Sequence, residues 1–136
     1  MAGALDVNII TFNLSDTASD WQANDVNGHI FKAPSQAQGG AVRITRAWAV
    51  NQGATGAGTG FALTLLNYGA AGTVNSGTVA AALGGTGDPW AAGVPKQFTL
   101  SDPVLDADEW LVLKKTETNS SDPSRCTVII EYVMGK

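Results

Sequence analysis

The chain has 136 residues, of which 44% are hydrophobic and only 15% charged, with a net charge of -4; soluble domains typically carry roughly 25% charged residues. This length suits one domain with one core. The acidic balance argues against a binder of nucleic-acid backbones, which needs clustered Lys and Arg. Cys126 is the only cysteine, which excludes an intrachain disulfide and a zinc site built from several cysteines.

The first six residues read as a loose N-terminal arm. They lack the basic end and apolar run of a secretory signal, and no stretch approaches the roughly 18 apolar residues of a membrane span, so a soluble protein folded in the cytoplasm is expected. Residues 7–14, with Val7, Ile9, Ile10, Thr11 and Phe12, form the first predicted strand. Turn chemistry flanks Trp21 at 15–20 and 24–28, because Asp, Asn and Ser side chains satisfy backbone groups locally. A short second strand follows at 28–33, then a loop at 34–40 and a long strand at 41–51. In that strand Val42, Ile44, Trp48 and Val50 share one parity, interrupted by Arg46, while Arg43, Thr45, Ala47 and Ala49 make a small or polar opposite face.

Eleven of the 16 glycines lie between Gly53 and Gly93, a region of loops alternating with short strands. Residues 61–66 read as one strand. Residues 77–83 fit a strand or one turn of helix, and strand neighbours favour the strand. A long glycine-rich loop at 84–93 precedes a strand at 97–100 with Phe98 and Leu100 inward, and a turn at 101–108. The chain closes with apolar runs at 110–115 and 126–134, joined by the polar turn 116–124 and read as a hairpin. In the last run Cys126, Val128, Ile130, Tyr132 and Met134 alternate with Thr127, Ile129, Glu131 and Val133, a period of two. Both parities carry apolar groups; one side is expected in the core, and the side with Ile129 and Val133 against a neighbouring subunit.

No helical period of ten residues appears, while short strands recur between Gly, Pro, Asn and Asp. The expected fold is all-β: a single antiparallel β-sandwich over 1–136, jelly-roll or Greek-key. The expected core is Ile9, Ile44, Trp48, Phe61, Leu63, Leu65, Phe98, Leu111, Leu113, Val128 and Ile130.

No motif assembles a catalytic set. The glycines at 53–60 lack the Lys and Ser/Thr of a phosphate cradle, and a strand rather than a helix follows them. Asp102, Asp106, Asp108 and Glu109 make an acidic cluster with the chemistry of a calcium site but not the spacing of an EF-hand; the simpler reading is a turn. His29 is the sole histidine, so any nucleophile–histidine pair must use it, and Cys126 reads as a small core residue. Trp48 and Trp110 fall in strands. Trp21 and Trp90 fall in loops, where a large ring either caps the core or meets a partner. The expected protein is not an enzyme and has no cofactor or metal. Its candidate partner contacts are Trp21, Gly56, Gly58, Trp90, Ile129 and Val133.

Taken together, the strand at 42–50, the segment at 61–66, Asp108-Glu-Trp-Leu-Val-Leu113 and the terminal run from Val128 to Lys136, in an acidic Gly/Ala/Thr/Asn-rich chain, resemble small structural proteins of tailed bacteriophages. The nearest class is the capsid decoration, or cement, proteins, with head-fibre and tail jelly-roll domains close behind. The resemblance implies a β-sandwich on the virion surface that binds the major capsid protein outside the assembled shell, commonly as a homotrimer, and strengthens it; the charge balance and the lack of an apolar span separately argue against nucleic acid and membrane as partners. A carbohydrate- or receptor-binding module of a phage fibre or tail is the alternative. Both expectations place function in a surface rather than a reaction centre.

Overall fold

A computed structural model of the chain describes residues 6–15, 25–51, 62–74, 76–83, 91–116 and 125–135. Among these residues ten strands follow in order: β1 (Asn8–Ser15), β2 (Asp25–Lys32), β3 (Val42–Asn51), β4 (Ala62–Asn67), β5 (Gly77–Leu83), β6 (Pro95–Gln97), β7 (Thr99–Leu100), β8 (Val104–Leu105), β9 (Trp110–Thr116) and β10 (Arg125–Met134). They form two antiparallel sheets. The first has the order β1-β10-β3-β6, with β8 also on β3; the second is β2-β9-β4-β5-β7. The protein is an all-β sandwich, as its alternating sequence requires.

The core lies between the sheets. Val42, Ile44, Ala47, Ala49, Cys126, Val128 and Ile130 from the first sheet meet Leu63, Leu65, Ala80, Leu111 and Leu113 from the second. Aromatic side chains bridge the sheets as well. The Phe31 and Tyr132 rings lie 5.1 Å apart, and the Phe12 ring of β1 reaches Gly28 of β2, where a Cβ would stand 3.2 Å from it. Glycine at 28 therefore makes room for an intersheet ring.

Three sequence expectations change. The runs at 110–115 and 126–134 are strands but not a hairpin: β9 pairs with β2 and β4, whereas β10 lies between β1 and β3 in the other sheet. Each strand has apolar groups on both faces, so the alternation itself is silent about which strand pairs with which. The expected strand at 97–100 is divided. Pro95–Gln97 pairs with β3 and Thr99–Leu100 with β5, so the chain passes between sheets at Phe98, which is buried and donates its N–H to the Ala47 carbonyl at 2.8 Å.

The third change is in the core. Glu131 of β10 stands opposite Arg46 and Tyr132 opposite Ile44, leaving Thr45 as an extra residue in β3. This β-bulge reverses the side-chain parity of β3. Val42 and Ile44 face inward before it; Ala47, Ala49 and Asn51 are the buried positions after it, while Trp48 is half-buried. Trp48 is thus not a core residue, and neither is Ile9, which pairs with Glu131 and is 65% exposed. Phe61 lies outside the described residues. The remaining expected core residues, Ile44, Leu63, Leu65, Phe98, Leu111, Leu113, Val128 and Ile130, are buried.

The bulge makes a prediction that uninterrupted alternation does not. Enlarging Ala49 to Leu forces extra methylenes into the packed interior and costs about 1–3 kcal/mol in a urea unfolding measurement. On a solvated face the same substitution changes stability by less than about 0.5 kcal/mol. Leu113→Ala, at the centre of the second sheet, costs about 2–5 kcal/mol by the same measurement.

Candidate interaction surface

The register of β1, β10, β3 and β6 lays out the outer face of the first sheet in cross-strand rows. One row is Ile9, Glu131 and Arg46; the next is Thr11, Ile129, Trp48 and Gln97; the third is Asn13, Thr127, Val50 and Pro95. The face exists because both parities of β10 carry apolar groups and because the bulge turns Trp48 and Val50 outward. Its middle row places half-buried Ile129 beside half-buried Trp48, the shortest-range kind of side-chain pair in a sheet.

Charge on these three rows is confined and compensated. The Arg46 Nε lies 3.2 Å from the Glu131 carboxylate, and the Arg46 guanidinium sits 5.3 Å from the centre of the Trp48 ring. Arg46 thus spreads over its own aromatic neighbour while its charge is met by the carboxylate. Polar side chains are also drawn together: Thr127 donates to the Asn13 side-chain oxygen at 2.9 Å, and Thr45 donates to the Glu131 carbonyl at 3.2 Å. What remains outward is a surface of Ile, Trp, Val, Pro and neutral polar groups, whose burial would strip water from no isolated ion.

Among the expected contacts, Ile129 lies at the centre of this face. Val133, opposite Arg43, is only 5% exposed and offers little to a partner. Trp21, Gly56, Gly58 and Trp90 lie outside the described residues. The sequence reading missed Trp48, Val50 and Pro95 as surface residues; the signal that assigns them is the bulge, which the sequence does not mark.

The other candidate sites are occupied with structural work. At the acidic turn, the Glu109 carboxylate accepts hydrogen bonds from the Asn67 side chain at 2.6 Å and the Asp106 N–H at 2.8 Å, while Asp108 pairs with Lys32 at 3.0 Å. Among the described residues, no three His, Cys, Asp or Glu side chains gather as a metal-binding group. His29 lies on the second sheet, with its ring edge-on to Tyr68 and Trp110 and its Nε2 2.7 Å from the Gly72 carbonyl oxygen. Gly72 lies against the Trp110 ring so closely that a Cβ would stand 2.9 Å from it, and its φ is +69°. That ring surface is therefore covered by the chain's own 69–72 turn. Cys126 is in the core, away from His29 on the surface, and burial pushes its thiol from 9.0 up to about 12.

No protein-family model matches the chain, and no characterised protein matches it. Among the described residues, no helix is long and apolar enough to cross a membrane.

Two measurements test the assignment of Cys126. A thiol reagent at pH 8 should label the unfolded chain and leave the folded one unmodified. The folded chain also keeps a proton that an unfolded thiol gives up above 9.0. The stabilisation from that proton is complete below 9.0 and is lost as pH rises toward 12, by about 1.4 kcal/mol per pH unit. Cys126→Ala should lack this part of the alkaline fall in the urea midpoint, which separates it from the titration of other groups.

Proposed function

We propose that this chain is a virion structural protein that binds the outer surface of a phage capsid and stabilises the shell, acting as a self-associating, non-catalytic binder of the major capsid protein. The observation that carries this reading is the outer face of the first sheet, where Ile129, Trp48, Val50 and Pro95 form a surface whose nearest charges, Arg46 and Glu131, neutralise one another. Such a face suits a repeated, low-charge contact. The shell gains stability by mass action, since a ligand that binds only the assembled form favours it at every copy.

The strand order supports the same reading at the level of architecture. β1, β3 and β10 in one sheet alternate along the chain with β2, β4 and β9 in the other, the interleaving of a jelly roll. The two-sheet sandwich is the architecture that the resemblance to decoration proteins implies. Three polypeptide connections also leave from one end of the sandwich. Ser15 lies beside Arg125 and Asn51 beside Cys126 on one sheet, and Asp25 and Ala62 lie beside Thr116 on the other.

Sedimentation with expanded capsid shells lacking their own decoration protein tests the proposal. The wild-type chain should pellet saturably with the shells and raise their melting temperature. Trp48→Ala should weaken that binding by about 2 kcal/mol, roughly 30-fold, the scale of a central interface residue. Ile129→Asp should weaken it at least as much while the melting temperature of the free protein stays within a few degrees. A chain that never pellets with shells from any candidate phage defeats the reading; binding that ignores both substitutions moves the contact to another surface.

A further inference from the structure

The four sheet edges differ in how well they are protected against pairing with another strand. An open edge presents unpaired N–H and C=O groups, and proteins usually blunt it with short strands, charges, proline, bulges or a covering segment. At the far edge of the first sheet, β6 and β8 have three and two residues, and β6 carries Pro95 and Lys96. In the second sheet, β2 contains Gly28, His29 and Lys32 and is bulged between His29 and Phe31. The opposite edge, β5, breaks register with β4 twice; β7 covers part of it, and the Val79 carbonyl accepts hydrogen bonds from the Ser101 and Asp102 N–H groups.

Among the described residues, β1 has none of these devices. Its eight residues, Asn-Ile-Ile-Thr-Phe-Asn-Leu-Ser, contain no charge, proline or glycine, and they pair with β10 in unbroken register from Asn8 to Ser15. Among the described residues no strand pairs with its other side. Beside that edge, Val7 and Ile9 are 55% and 65% exposed. A long, uncharged, regular edge flanked by exposed apolar groups is a strand-pairing template.

We infer that β1 pairs antiparallel with β1 of a second copy about a two-fold axis, joining the two first sheets into one continuous sheet. The strand's own chemistry selects a second copy as its occupant. A two-fold axis lays a strand against itself, so any charge on β1 would approach a like charge; the strand has none. Pairing residues of equal parity keeps Ile9, Thr11 and Asn13 of both copies on the outer face and Ile10 and Phe12 on the inner one, so neither core is turned toward water. The product also sets two Ile129–Trp48 faces side by side on one surface. This symmetry gives an even number of copies, unlike the threefold arrangement implied by the resemblance, and it does not depend on the capsid reading.

Light scattering and sedimentation of the full-length chain at micromolar concentration test the pairing. The wild type should have twice the mass of one chain. Thr11→Lys and, separately, Ile9→Lys place a gatekeeper charge at exposed outer positions of β1; each should raise the dimer dissociation constant by about tenfold or more, with unchanged circular dichroism. Lysine at 9 faces Glu131 across the strand pair, so this variant keeps folding favourable if the first does not. Ile129→Asp, on the same face but in an interior strand, should leave the dimer intact. Backbone amides of β1 should gain hydrogen-exchange protection as concentration rises through the dimer constant. A wild-type monomer, an odd-numbered oligomer, a mass unmoved by both lysines, or dissociation by Ile129→Asp overturns the inference.

Discussion

The position of β10 between β1 and β3 is the constraint on which the rest of the structure depends. Its backbone is paired along both sides, with Asn8–Ser15 on one flank and Val42–Asn51 on the other. A strand held this way has no freedom to slip, because a shift of one residue would move Val128 and Ile130 out of the core and Ile129 into it. The chain therefore completes its first sheet with its last strand. The non-local pairings that result place loop closure ahead of most of the stabilising contacts.

Within that frame the single extra residue at Thr45 determines what the surface is made of. Before it, β3 turns Val42 and Ile44 inward; after it, the strand turns Ala47 and Ala49 inward and carries Trp48 and Val50 on the other parity. The small Ala47 and Ala49 then lie inward beside Ile130 and Val128, while the large Trp48 ring lies outside beneath Arg46. An uninterrupted strand would place the tryptophan in the interior and the alanines in water. The character of the proposed capsid-binding face thus follows from a local backbone irregularity rather than from an excess of apolar residues.

Groups that look chemical in the sequence are mostly committed to holding loops. Glu109 fastens the turn at 106–109 and the end of β4 through two hydrogen bonds. His29 ties the 69–72 turn to the second sheet through the Gly72 carbonyl and the edges of Tyr68 and Trp110. Cys126 is a core residue with a thiol that burial keeps protonated. Each of these three groups thus has a structural role in the sandwich.

The alternation of apolar residues and the turn chemistry between them determined the all-β class and the inward positions of β4, β9 and β10, because period-two burial is written locally along a strand; the strand at 77–83 was legible only from its strand neighbours. The outward placement of Ile129 was legible for the same reason, as an apolar residue on the second parity of a two-faced strand, whereas Val133 of that parity is buried. Tertiary structure alone decided that the last two strands belong to different sheets, that residues 95–100 divide at Phe98, and that β3 reverses face at Thr45. These depend on hydrogen bonds between residues far apart in the chain, and a backbone amide carries no side-chain code for the strand it will meet. Periodicity names the faces of each strand; only the pairing of distant strands decides which face is inside.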